Sequence, residues 1–145
     1  MIIIVFGLPG SGKSYFAEKL AARLKASYLS SDILRKSMYQ SPKYSEQQKQ
    51  IIYNEMLQQM KSAMREKRDM VLDATFYKDE IRRQFSEEGR TISRFFFIEL
   101  KAAESVIRER LKMQRRYSDA DHLILYSDNN NINEMLEQTI NFLHS

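Results

Sequence analysis

Apolar positions change their spacing along the chain, and the changes divide the sequence into strands and helices. Residues 2–6, IIIVF, form a continuous apolar run, which is typical of a strand buried on both faces of a parallel sheet. Phe16, Leu20 and Leu24 then recur every four residues, and this spacing predicts a helix. The pattern of a strand followed by a helix continues to the end of the chain.

The remaining predicted elements keep this order. Strands are expected at residues 27–30, 70–73, 92–100 and 123–126, and helices at residues 32–38, 45–67, 78–88, 102–114 and 132–143. Ser45 and Gln48 resemble a capping box at the start of the long helix. Gly89 is expected to end the helix before it, and the asparagines at 129–131 should supply the turn and cap of the last helix.

One motif lies directly after the first strand. Residues 7–14, GLPGSGKS, match the phosphate-binding loop pattern G-x-x-x-x-G-K-S/T. Glycines allow backbone N–H groups to turn toward a phosphate, and the next helix presents its positive dipole end to the anion. Lys13 is expected to contact the β- and γ-phosphates and Ser14 to bind Mg²⁺. We therefore expect ATP and Mg²⁺ as cofactors, with nucleotide contacts from Gly7, Pro9, Gly10, Ser11, Gly12, Lys13, Ser14 and Tyr15.

The alternation of strands and helices predicts an α/β fold. We expect one domain over residues 1–145, with the three layers of a P-loop NTPase or kinase around a central, mostly parallel five-stranded sheet. Ligands of such sheets bind at the carboxyl ends of the strands. The phosphate-binding loop, Asp32 and residues 73–75 each follow a predicted strand, so they should meet at that edge.

Two carboxylates are candidates for chemistry at this edge. Asp73 ends the third strand, where it could bind Mg²⁺ directly or through water; the alternative is a cap for the next helix. Asp32 and Arg35 lie three residues apart and share one helical face. Asp32 could accept the proton of an attacking hydroxyl while Arg35 binds an anionic group. The alternative is an N-terminal acid paired with an exposed arginine.

Composition limits the remaining possibilities. Cysteine is absent, which excludes disulfides, thiolate metal sites and a cysteine nucleophile. The short apolar start predicts a strand and not a signal peptide, and no run approaches the roughly 18 apolar residues of a membrane helix, so we expect a cytoplasmic protein with no membrane partner. Within the net charge of +4, five cations crowd into nine residues: Arg108, Arg110, Lys112, Arg115 and Arg116. They form either a solvated helix face or a phosphate-binding lid.

These motifs together resemble the small P-loop kinases related to polynucleotide kinase and zeta toxins. The resemblance rests on GLPGSGKS, SSDILR at 30–35, VLDAT at 71–75 and an arginine-rich stretch that ends in SDAD at 118–121. It implies transfer of the γ-phosphoryl group of ATP to a hydroxyl acceptor: a polynucleotide end, a nucleoside, a sugar or another small molecule. It also implies that Asp32 is the base and that Arg35 contacts the acceptor or a phosphate.

The resemblance further implies a lid, at about residues 108–121, that places an arginine over the transferred group. Arg115 or Arg116 is the best match, with Arg110 as a further candidate. Two alternatives of a different class remain. One is a P-loop ATPase or nucleotide-sensing module that acts through a protein partner, and the other is a polynucleotide-binding protein that uses the positive charge alone. Tyrosines 39, 44 and 53 in the acceptor region either stack on bases or pack in the core.

Overall fold

The computed structural model describes residues 1–101, 121–127 and 131–145. Its strands are β1 (Ile2–Phe6), β2 (Ser27–Ser30), β3 (Met70–Ala74), β4 (Phe95–Lys101) and β5 (His122–Tyr126). Its helices are α1 (Lys13–Leu24), α2 (Ser31–Met38), α3 (Glu46–Arg65), α4 (Asp79–Gly89) and α5 (Ile132–Leu143). The helix expected at residues 102–114 lies outside the described residues.

The strands form one sheet in the order β2-β3-β1-β4-β5, and every neighbouring pair is parallel. The expected five-stranded sheet is therefore confirmed, and its described strands are all parallel. Phe6 at the end of β1 is in register with Ala74 of β3, and Asp73 is in register with Ser30 of β2. The segments that follow these strands consequently start side by side at one edge of the sheet.

Helices cover both faces of the sheet. Ile2, Ile4 and Phe6 belong to one buried cluster with residues of α2, α3 and α4. Ile3 and Val5, which alternate with them, belong to a second cluster with residues of α1 and α5. The α/β three-layer arrangement predicted from the sequence is thus confirmed, because a strand in the middle layer must be apolar on both faces.

Several element ends differ from the sequence-based expectation. Strand β4 begins at Phe95 and not at residue 92, because the residues before it form a turn in which Ile92 is exposed. Gly89 is the last helical residue of α4, and the capping residue Arg90 is right-handed. A Cβ at Gly89 would overlap the Phe95 ring. Close packing, and not a left-handed turn, therefore explains this glycine.

The predicted helix caps are partly confirmed. Ser45 Oγ accepts from the Gln48 N–H at 3.2 Å, but Gln48 Oε1 accepts from the Lys43 N–H, at 2.8 Å, and not from Ser45. Only one of the two hydrogen bonds of a capping box, the one accepted by Ser45 Oγ, is therefore present. Asn131 caps α5 as expected, because its Oδ1 accepts from the Glu134 N–H at 2.9 Å. No helix in the described ranges is long and apolar enough to cross a membrane.

Candidate active site

The loop after β1 has a backbone that requires glycine at several positions. Gly7, Gly10 and Gly12 have φ angles of 155°, 83° and 80°, a region that disfavours other residues. At Gly7 a Cβ would also lie 2.5 Å from the carbonyl oxygen of Leu100 in β4. These glycines therefore set the curved path of the loop and its close approach to the sheet.

Unpaired donors collect where this loop enters α1. The helix begins at Lys13 with no side-chain cap, and its first backbone hydrogen bond runs from the Phe16 N–H to the Gly12 carbonyl at 3.2 Å. The earlier N–H groups of the first turn thus lack intrahelical acceptors. Ser11 is buried, and its Oγ has no hydrogen-bond partner among the described residues. Such donors at a helix N-terminus fit the phosphate chain of a nucleotide.

Lys13 and Asp73 face each other beneath the loop. The distance between Lys13 Nζ and Asp73 Oδ1 is 4.0 Å, and the Asp73 side chain is 2 % exposed. Asp73 Oδ2 accepts a hydrogen bond from the Tyr28 hydroxyl of β2 at 2.6 Å. Burial is the main cause that raises the pKa of the Tyr28 phenol, and the hydrogen bond to Asp73 is the second. Asp73 does not cap α4, whose N-cap is Lys78, so the capping alternative fails.

The residues present fit a Mg²⁺ ion that is shared with bound phosphates. No group of three or more His, Cys, Asp or Glu side chains in the described part of the chain forms a metal cage. Mg²⁺ in nucleotide-dependent enzymes is commonly held by one or two protein oxygens together with substrate phosphates and water. The Ser14 hydroxyl at the start of α1 and the Asp73 carboxylate are oxygens of this kind.

A cleft of about 310 Å³ lies beside the loop. The residues that line it come from the loop, from α2 and α3, from the segment between these helices and from the segment after β3: Pro9, Lys13, Ser31, Asp32, Arg35, Tyr44, Lys49, Tyr53 and Thr75. The structure thus brings together three of the five predicted catalytic residues, Lys13, Asp32 and Arg35, and one predicted nucleotide contact, Pro9. The other two predicted catalytic residues, Arg115 and Arg116, lie outside the described residues.

Asp32 and Arg35 form an ion pair near the N-terminus of α2. Ser30 caps this helix by accepting from the N–H groups of Asp32 and Ile33, at 3.2 and 3.4 Å. Arg35 Nη1 donates to Asp32 Oδ1 at 3.0 Å. The Asp32 side chain is 53 % exposed, whereas Arg35 is 5 % exposed and stacks on the Tyr44 ring with its Cζ 4.5 Å from the centroid. The arginine is therefore not the exposed partner that the alternative interpretation required.

Tyr53 connects α3 to the segment after β3. Its hydroxyl accepts from the Phe76 N–H at 2.9 Å and lies 3.3 Å from Thr75 Oγ1. Phe76 has a left-handed φ of 44°, which is rare for a bulky residue, and its ring packs against Tyr53 and Phe85 at 5.1 and 5.0 Å between centroids. Tyr53 is consequently a packing residue that also holds the segment directly after Asp73.

Lys49 lines the cleft although the sequence patterns did not single it out. It lies four residues before Tyr53, so both occupy one face of α3, and this spacing was the available signal. Lys49 Nζ is 3.5 Å from Glu46 Oε1. Glu46 also accepts from the Tyr77 hydroxyl and from Lys78 Nζ, each at 3.0 Å. The hydrogen bond from Lys78, with that from Tyr77, lowers the pKa of Glu46.

Comparison with solved structures identifies the fold as that of P-loop kinases. A sugar kinase from Janibacter sp. superposes with a TM-score of 0.71 at 14% identity, over 99% of this chain and 94% of that chain. A gluconokinase from Sinorhizobium meliloti gives 0.71 at 16% identity, over 98% and 90%. The Mycobacterium tuberculosis APS kinase, in complex with AMPPNP and APS, gives 0.73 at 18% identity, over 99% and 97%.

The amino-acid sequence itself matches one family. No curated protein matches the sequence. The sequence profile of the AAA domain (AAA_33) matches residues 2–136, which include the phosphate-binding loop, the Asp32–Arg35 pair and Asp73. The chain therefore belongs to the AAA_33 family of AAA domains, with the fold of a small P-loop kinase.

Proposed function

We propose that this protein is an ATP-dependent phosphotransferase that moves the γ-phosphoryl group of ATP to a hydroxyl group of a small-molecule acceptor. One observation carries the proposal: Lys13 of the phosphate-binding loop and the solvent-accessible carboxylate of Asp32 line the same cleft. A hydrolase needs room only for a water molecule beside its carboxylate, whereas this cleft of about 310 Å³ can hold a small-molecule acceptor. A kinase needs this room, because its acceptor hydroxyl must lie beside the transferred group.

The phosphate-binding loop is the electrostatic part of the proposed site. ATP would supply the phosphoryl group, and bound Mg²⁺ would neutralise part of the negative charge on the phosphates. The N–H groups at the start of α1 and the Lys13 ammonium group bind the phosphate oxygens, where negative charge develops during transfer. Ser14 and Asp73 are the proposed ligands of the ion. The contact between Asp73 and Tyr28 keeps that carboxylate in one orientation.

The Asp32–Arg35 pair is the acceptor part of the proposed site. Asp32 orients the acceptor hydroxyl and takes its proton while the new O–P bond forms and the bond between the γ-phosphorus and the β–γ bridging oxygen breaks, which leaves ADP. Arg35 holds Asp32 through its Nη1 and faces the same cleft. Arg115 or Arg116, in the proposed lid over residues 108–121 of a single domain, would stabilise the charge of the transferred group.

The experiment that tests this function is transfer from ATP with a radioactive γ-phosphate to a panel of hydroxyl compounds. The panel contains sugars, sugar acids, nucleosides, nucleotides and polynucleotide ends, and thin-layer separation distinguishes labelled product from inorganic phosphate. We expect Mg²⁺-dependent label on an acceptor, at a rate well above the release of phosphate. Release of inorganic phosphate alone, unchanged by every acceptor, would indicate an ATPase and contradict the proposal.

A further inference from the structure

The charges around the cleft do not balance. Three cations, Lys13, Arg35 and Lys49, and one carboxylate, Asp32, line it. Lys13 belongs to the phosphate-binding loop, and Arg35 is paired with Asp32 at 3.0 Å. Lys49, on the α3 wall, is therefore the cation of the cleft that neither the loop nor the Asp32 pair uses.

The neighbourhood of Lys49 leaves its charge only partly neutralised. Its acidic contact is Glu46, at 3.5 Å, and the same carboxylate lies closer, at 3.0 Å, to Lys78. Two ammonium groups thus share one carboxylate, which also accepts from Tyr77. Because Glu46 is largely exposed, solvent weakens its attraction for both lysines. Lys49 Nζ also lies 4.8 Å from the centroid of the Tyr77 ring, so an anion in the cleft would compete for Lys49 with two exposed partners, Glu46 and Tyr77.

A second feature of the cleft also points to an anionic ligand. Arg35 is 5 % exposed, yet its Nε has no hydrogen-bond partner among the described residues. A buried, unpaired guanidinium N–H is costly unless a ligand uses it. The ring stacked on this guanidinium belongs to Tyr44, which is 68 % exposed and lies in the irregular segment between α2 and α3. An exposed side chain on an irregular segment therefore covers one face of the Arg35 guanidinium.

We propose that the acceptor is a small compound that carries a phosphate, sulfate or carboxylate group besides its hydroxyl, and that Lys49 binds this group and determines acceptor specificity. The inference rests on the proposed function. A cleft of about 310 Å³ has the size of a small-molecule site. Lys49 and Arg35 bind the anionic group from the α3 and α2 walls, while Asp32 faces the hydroxyl. An uncharged analogue of the acceptor would leave Lys49 without this contact.

The test uses the full chain saturated with Mg²⁺ and the non-hydrolysable analogue AMPPNP, so that the phosphate-binding loop is already filled. Phosphate, sulfate and acetate are titrated separately at constant ionic strength, and dissociation constants are obtained from NMR shifts of the protein. The three anions distinguish which anionic group the site prefers. The variants are Lys49→Met, Lys49→Arg and the control Lys61→Met, which alters another α3 lysine with one acidic contact, Glu88 at 3.9 Å, away from the cleft.

We expect at least one of the three anions to bind the AMPPNP complex. Lys49→Met should weaken the affinity for this anion about tenfold or more, as expected for the loss of one charge-assisted hydrogen bond. Lys49→Arg should retain most of the affinity, and Lys61→Met should match the wild type. Absence of anion binding, or equal affinity in Lys49→Met, overturns this inference and leaves the proposed function standing. Failure of the wild type to bind AMPPNP would instead count against the proposed function itself.

Discussion

Replacement of Tyr28 by Phe tests whether Asp73 is held in place by its neighbours. The change removes one hydroxyl that donates to Asp73 Oδ2 at 2.6 Å and keeps the ring. The carboxylate is 2 % exposed, so water cannot replace the lost donor freely. A hydrogen bond to a charged group contributes about 1.5–3 kcal/mol, and the partial exposure of Tyr28 places the expected loss near the lower end, about 1.5 kcal/mol.

The assay is reversible unfolding in urea and by heat at pH 8. For a chain of this size the expected loss corresponds to a Tm lower by about 3–6 °C. Tyr39→Phe, which alters a partly buried tyrosine that packs against the opposite core cluster, is the control and should stay within about 0.5 kcal/mol of the wild type. A Tyr28→Phe variant as stable as the control would refute the assigned role of this hydrogen bond.

The pH dependence of the same variant gives an independent check. Burial and Asp73 raise the Tyr28 pKa in the folded state above the unfolded value of about 10. The unfolded chain therefore loses this proton first, and the stabilisation by Tyr28, complete below pH about 10, is lost as the pH rises further. The stability difference between wild type and Tyr28→Phe should shrink between about pH 10 and 11. A difference that grows in this range would contradict the assignment.

Other predictions concern the remaining site residues. Asp32→Asn should slow phosphoryl transfer by about a hundredfold or more while ATP affinity is kept; an unchanged rate would make Asp32 a helix-terminal acid only. Asp73→Asn should weaken nucleotide binding with Mg²⁺ more than without it, and equal losses in an affinity titration would remove Asp73 from the metal site. Alanine at Arg115 or Arg116 should reduce the transfer rate by about 10³ with little change in ATP affinity, whereas Lys112→Ala should do little. Uniform small losses at all three positions that vary with salt would indicate a diffuse charged surface.

The elements of the fold and the loop were predictable because their signals are local. The IIIVF run and the GLPGSGKS motif occupy adjacent residues, so the order of the chain places the loop at the end of β1. Parallel pairing then follows from the short alternation of strands and helices. The sequence singles out Asp32 and Asp73 as candidates for the same reason, since each lies next to the end of a strand.

Contacts between distant segments could not be predicted in this way. Tyr28 and Asp73 are 45 residues apart, and only the register of β2 with β3 brings them together. Nothing in the sequence distinguishes Lys49 from an ordinary surface lysine. Only the packing of α3 in the folded chain places it at the cleft. The sequence pattern predicts that Gly89 ends a helix, but the structure shows that glycine is needed there because a Cβ would overlap the Phe95 ring of β4. Such features depend on tertiary packing, which a pattern within one segment does not contain.

The most direct test of the central claim is the turnover of ATP by Lys13→Ala. Lys13 extends from the first residue of α1 toward Asp73 and belongs to neither core cluster, so its removal should leave the fold intact. Circular dichroism and thermal unfolding establish that the variant is folded, and labelled-phosphate transfer at saturating ATP then measures its rate. Transfer should be abolished, because the lysine stabilises charge on the phosphates. Transfer at a near-normal rate by the folded variant would contradict the central claim.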